Sequence, residues 1–141
     1  MRQFYIAAIV MAGALGAGCA TTTAPKTQTY TATLAAGPGI TSSGKGTGTF
    51  TFDPATKVLT YTVEYEGLSG PAAAAHIHGP AEPGANAGVV VPFASAASPI
   101  TGTATLTDAQ VAELQAGKYY VNVHTAANRG GEIRGQITLK P

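Results

Sequence analysis

Three histidines are the residues of this chain whose type and spacing could do chemistry. His76 and His78 lie in Ala75-His76-Ile77-His78-Gly79, and His124 lies in Tyr120-Val121-Asn122-Val123-His124-Thr125. Both runs read as β-strands. Side chains alternate faces along a strand, so His76 and His78 point the same way with Cα atoms roughly 6.5–7 Å apart. A pair at that spacing can close on one metal ion, and an imidazole from a neighbouring strand would complete a three-nitrogen site for Cu²⁺ or Zn²⁺ with a position left open. His76 and His78 fall on the face opposite Ile77, the natural core residue. His124 shares a face with Tyr120 and Asn122, while Tyr119, Val121 and Val123 take the other. All three histidines are therefore expected on non-core faces. Gathering of their ring nitrogens within ~4 Å would indicate a shared ion, since metal–nitrogen bonds are about 2.0–2.1 Å. The bland alternative is three hydrogen-bonded surface residues. Glu132 and Glu82 are the carboxylates considered as additional ligands or ligand-orienting groups.

The elements that must position these residues are all short and alternating. The expected strands are 28–35, 46–53, 57–66, 73–79, 88–93, 102–106, 118–125 and 132–139. The first three place Thr29, Thr31 and Thr33, then Thr47, Thr49 and Thr51, then Thr60 and Thr62, opposite an apolar set that includes Tyr30, Leu34, Phe50, Phe52, Leu59, Tyr61 and Val63. Asp53-Pro54-Ala55-Thr56 is a turn signal and predicts a hairpin. Thr107-Asp108-Ala109-Gln110 has the capping-box pattern, so a helix of two to three turns should start there and stop at Gly117, plugging one end with Val111 and Leu114. Many short strands, frequent Gly and Pro, and one small helix predict an all-β fold: an antiparallel, Greek-key-like β-sandwich or flattened barrel. Pro80 to Ala87 and Ala94 to Pro99 are the long loops, where binding surfaces are expected.

The N-terminus bounds the compartment. Met1-Arg2-Gln3 precedes an apolar run from Phe4 to Ala17, shorter than the ~20 residues of a spanning helix, so residues 1–18 read as a signal peptide. The single cysteine, Cys19, follows Leu15-Gly16-Ala17-Gly18 and resembles a bacterial lipobox cysteine, with the leucine one place further back than usual. The resemblance implies lipidation of Cys19, and hence the membrane as a partner, on the periplasmic side of the cell envelope or at the outer membrane. Residues 19–27 then form a lipidated cysteine with a flexible Thr/Pro-rich tether, and 28–141 one domain. Loss of Arg2 with the leader leaves seven basic against seven acidic residues, and no basic run gives nucleic acid an electrostatic footprint.

Other constellations read as structural. Glu132 and Arg134 are expected to form a cross-strand ion pair, with Asn128-Arg129-Gly130-Gly131 as the preceding turn. Asn128 and its two glycines would there supply positive φ. Anion or partner recognition by the arginines is the competing reading. Gly44, Gly46 and Gly48 precede a strand, not the helix that a phosphate cradle needs. Neither a serine–histidine–acid set nor a catalytic carboxylate pair is legible.

Four motifs in order resemble the CHRD domain, the module repeated in chordin and present singly in bacterial exported proteins. They are His76-Ile77-His78-Gly79-Pro80-Ala81, Gly102-Thr103-Ala104-Thr105-Leu106-Thr107, Gly117 to Thr125, and Asn128-Arg129-Gly130-Gly131-Glu132-Ile133-Arg134-Gly135-Gln136-Ile137. The resemblance covers about residues 28–139 and implies an extracytoplasmic location with no settled activity for bacterial members. In chordin the module belongs to an extracellular antagonist of bone morphogenetic proteins, and a binding module with a candidate extracytoplasmic protein partner is the expected role. A weaker similarity joins the His-x-His strand and Val121-Asn122-Val123-His124 to the copper-binding strands of copper–zinc superoxide dismutase. This chain lacks the histidines of a zinc site and a cysteine pair, which argues against the bimetallic enzyme. The expectation is a single copper ion on His76, His78 and His124, zinc being the second choice. The alternatives are a metal-free interaction module or a copper redox enzyme, a non-enzymatic role being the better fit.

Overall fold

The computed structural model describes residues 18–19 and 23–141. The expected signal peptide lies almost wholly outside them. Nine strands and one helix follow in order: β1 (Gln28–Ala36), β2 (Lys45–Asp53), β3 (Val58–Glu66), β4 (Ala72–His78), β5 (Val89–Pro92), β6 (Ile100–Thr105), α1 (Asp108–Gln115), β7 (Tyr120–Thr125), β8 (Ile133–Gln136) and β9 (Thr138–Leu139). All pairings are antiparallel. The strand path is β5-β4-β7-β8-β1-β2-β3-β6, with β9 added on β1, and it curls into a nearly closed barrel. The all-β fold with one short helix is as the sequence predicts.

Alternation explains the first wall. Tyr30, Ala32 and Leu34 of β1, Phe50 and Phe52 of β2, and Leu59, Tyr61 and Val63 of β3 are buried, while the threonines between them face outward. The core continues on the second wall through Ala75, Ile77, Val121, Val123 and Ile133. Burial of each large apolar side chain stabilises the fold by about 1.5–3 kcal/mol. The β2–β3 hairpin turns at Asp53, whose Oδ1 accepts from the Ala55 amide at 2.8 Å.

The helix forms where the capping box places it. Thr107 Oγ1 accepts from the Gln110 amide, and Gln110 Oε1 accepts from the Thr107 amide. Leu114 is fully buried, Val111 packs partly against the core, and Gly117 follows the last turn at φ 71°. Among the described residues no helix is long and apolar enough to cross a membrane.

One expected strand is divided. Residues 132–139 split into β8 and β9 because the Ile137 amide turns to the Tyr119 carbonyl, after which Thr138 and Leu139 pair with Thr31 and Tyr30. Leu139, which an unbroken period-two strand would place on the face of Ile133 and Ile137, is consequently 57% exposed.

Candidate metal centre

The registers of β4 and β7 bring the histidines together. His124 stands opposite Ala74, Asn122 opposite His76, and Tyr120 opposite His78, so His76 and His124 are diagonal neighbours on one face. His76 Nδ1 lies 3.1 Å from His124 Nε2. One ligand atom from each of His76, His78 and His124 falls within 4.8 Å of the others. Two nitrogens on one tetrahedral ion sit about 3.3 Å apart, so the first pair is already at ligand separation. The full set is wider than the ~4 Å expected of a shared ion, so that expectation is met for the His76–His124 pair and not for all three.

Hydrogen bonds fix which nitrogens are free. His78 Nδ1 is 2.9 Å from the Ala87 carbonyl oxygen and His124 Nδ1 is 2.9 Å from that of Arg129. A carbonyl only accepts, so both Nδ1 atoms carry the proton and both Nε2 atoms keep a lone pair. His124 Nε2 accepts from His76 Nδ1–H. His78 Nε2 is buried and has no hydrogen-bond partner among the described residues. A buried imidazole nitrogen without a partner is costly unless something occupies it. Each donated Nδ1–H to a backbone carbonyl is also the outer-shell arrangement that orients metal-binding imidazoles.

The electrostatics favour the neutral form of His76 and His78. His76 is held below the usual histidine range by burial first, then by the charges of His124 and His78. His78 is lowered by burial, which outweighs its bond to Ala87, with His124 and Arg134 adding to the shift. Neutral imidazole is the form that ligates.

The expected outward face is therefore more covered than simple alternation implies. His78 is only 9% exposed, and Tyr120 and Asn122 are buried as well. The cover is the loop between β4 and β5. Tyr120 Oη accepts from the Ala87 amide at 3.0 Å, Gln136 Nε2 donates to the Ala81 carbonyl, and Arg134 donates to Asn86 Oδ1 and to the Ala85 carbonyl. Glu82 of the same loop pairs with Lys118 and is absent from the histidine cluster.

Glu132 and Arg134 correct the sequence expectation: they do not pair. Glu132 is fully buried and accepts from Ser42 Oγ at 2.6 Å, Ser69 Oγ at 2.6 Å, the Ser69 amide at 2.8 Å, Thr125 Oγ1 at 2.6 Å and Asn128 Nδ2 at 3.3 Å. These hydrogen bonds, Ser42's foremost, hold its carboxyl far below the usual range despite burial. Arg134 lies over the Tyr120 ring, 3.7 Å from its centroid, and Tyr120 stacks on His78 at 5.2 Å and 11°. A carboxylate with five neutral donors has no need of a guanidinium. In the preceding turn only Gly131 takes positive φ, at 118°, and a Cβ there would collide with the Asn122 amide. That glycine lets the turn pass close enough for Asn122 Nδ2 to reach the Gly130 carbonyl at 3.1 Å.

Sequence reasoning put Tyr120 on the face of His124 but missed its stacking on His78, and it missed Arg134 and the Ala87 carbonyl as neighbours of the histidines. The available signal was the outward set of β7 and β8, which reads Tyr, Asn, His, Arg, Gln where the other wall reads threonine. Ser42 and Ser69 gave no signal. Cys19 is exposed and free.

A small antiparallel barrel with three converging imidazoles on a loop-covered wall defines a histidine-bearing β module. The family model for the CHRD domain matches residues 29–137, from β1 to the end of β8 and including all three histidines, Glu132 and Arg134, and the chain belongs to that family. No curated protein and no solved structure matches the chain significantly.

Proposed function

We propose that this CHRD domain is an extracytoplasmic binding module that coordinates one copper ion through His76 Nδ1, His78 Nε2 and His124 Nε2. The observation that carries the reading is the buried, partnerless Nε2 of His78 beside the 3.1 Å approach of the other two rings. Three imidazoles without a carboxylate or thiolate suit copper or zinc, and by the Irving–Williams order copper binds the tighter. The ion would supply a Lewis-acidic, redox-capable centre. The protein's part is to disfavour the charged forms of His76 and His78 and to hold His78 and His124 on backbone carbonyls. On binding, His76 moves its proton from Nδ1 to Nε2, which frees the lone pair that faces His124.

Calorimetric titration with Cu²⁺ and Zn²⁺ tests this. The expected result is one ion per chain at micromolar or tighter affinity. His76→Ala, His78→Ala and His124→Ala should each weaken it by more than the 10–100-fold that loss of an outer-shell partner costs. If the wild-type chain takes up neither of these ions, nor Cu(I) under anaerobic ascorbate, the metal-free interaction module is the correct reading.

The location belongs to the same proposal. Export through residues 1–18 and acylation of Cys19 would tether the barrel to the membrane by the Thr/Pro segment. The exposed free thiol at a point where the barrel has not yet begun is compatible with modification. Cys19→Ser should move the protein from the membrane to the soluble fraction, and an unchanged distribution would remove the anchor.

A further inference from the structure

We infer that Arg134 makes the histidine centre selective for charge, favouring monovalent copper over divalent copper and zinc. The inference rests on the proposed metal site and names the residue that sets its preference. Its first support is the site's charge. The cluster holds three imidazoles, which ligate as neutral donors, and no carboxylate, so none of its members among the described residues offsets the charge of a bound ion. The nearby acids are committed elsewhere, Glu132 to five donors and Glu82 to Lys118. A dipositive ion on three neutral nitrogens beside a ring that is 9% exposed is the costlier state.

The second support is the placement of Arg134. Among the described residues no carboxylate neutralises it, since its hydrogen bonds go to the neutral Asn86 Oδ1 and Ala85 oxygen. Its guanidinium covers Tyr120, and Tyr120 is stacked on His78. The column guanidinium–phenol–imidazole sets a permanent positive charge one aromatic ring away from a proposed ligand. At roughly 10 Å and an effective dielectric near 20, one unit charge changes the preference between ions differing by one charge by about fifteenfold at most, less where solvent screens it. Coordination number works in the same direction. Cu(II) seeks a tetragonal set of four or more donors, which three protein nitrogens do not complete, whereas d¹⁰ Cu(I) is content with three.

Arg134 also holds the loop that supplies the Ala87 carbonyl, so a purely structural role must be distinguished. The test is competition titration with a Cu(I) chelator under anaerobic ascorbate, and separately with a Cu(II) chelator, on wild type, Arg134→Gln, Arg134→Glu and Arg134→Lys. In Arg134→Gln the ratio of Cu(I) to Cu(II) affinity should fall about three- to tenfold, a tenfold change being 59 mV in the one-electron potential. Arg134→Glu should lower it further, and Arg134→Lys should retain most of it. Parallel loss of both affinities with an unmoved ratio would mean that Arg134 only pins the loop, and the inference fails while the metal site stands. Wild-type protein that binds neither ion overturns the metal site itself.

Discussion

The two walls of the barrel use their outward faces in opposite ways. On β1, β2, β3 and β6 the register aligns one residue type across strands: Thr29, Thr51, Thr60 and Thr103 form one row, and Thr31, Thr49, Thr62 and Thr101 the next, with Thr138 of β9 beside Thr31. On β4, β7 and β8 the corresponding positions are His76, His78, Tyr120, Asn122, His124, Arg134 and Gln136, under a loop tied down by their side chains. Threonine needs no partner on a solvated strand; its branched Cβ suits the pleat and water satisfies its hydroxyl. The second wall carries groups that are costly when covered unless each is hydrogen-bonded, and among the described residues only one fully buried side-chain nitrogen or oxygen lacks a partner. The one exception, His78 Nε2, is the atom on which the functional reading rests. A solvated wall can be repetitive because water completes it, whereas a covered wall must be specified residue by residue.

The largest effect expected from breaking this contrast is at Glu132. It joins the β1–β2 loop through Ser42, the β3–β4 loop through Ser69 and the β7–β8 turn through Thr125 and Asn128. Glu132→Ala strands those donors in the interior and should cost about 3–5 kcal/mol in urea denaturation, comparable to breaking a buried ionic network. Its acid sensitivity has a fixed sign. The folded carboxyl lies below its unfolded value of about 4.5, so its stabilisation is full above that pH and is lost as pH falls through the folded value. His76 and His78 also lie below their ordinary value, about 6.5, and their contribution likewise declines as pH falls from there through the folded values. Apo-protein stability should thus decline in two stages on acidification. Glu132→Gln should flatten the lower stage and a His76→Ala, His78→Ala double variant the upper; a single unaltered stage would contradict the assignment.

These effects also mark how far the sequence could be read. Strand alternation was legible wherever one face is solvated, as in Thr47-Gly48-Thr49-Phe50-Thr51-Phe52, and the helix was legible because Thr107 and Gln110 signal its start locally. The histidine face of β4 and β7 was legible from period two alone, but their convergence was not, because it depends on a register that sets His124 opposite Ala74. Glu132 and Arg134 were misread as a pair for the same reason. Opposite charges two residues apart on a strand invite that reading, while the serine donors that claim Glu132, Ser69 and Ser42, are 63 and 90 residues away in the chain. The Arg134–Tyr120–His78 column spans three strands and has no local signature.

The smallest expected effect belongs to the threonine wall and sharpens the comparison from the other side. Thr49 stands between Thr31 and Thr62 with its side chain exposed. Thr49→Ala should cost at most about 1 kcal/mol, the scale of a cross-strand pair, and leave metal affinity unchanged. Thr49→Val separates the causes. If the branched Cβ is what the pleat requires, valine restores the wild-type stability; if the row is held by hydroxyl contacts, valine costs as much as alanine. Recovery by valine is expected because no hydrogen bond joins these hydroxyls among the described residues, unlike the hydroxyls of Ser42, Ser69 and Thr125 that close on Glu132. The two walls would then differ in the kind of force that holds their outer faces: conformational preference on one, directed hydrogen bonds on the other.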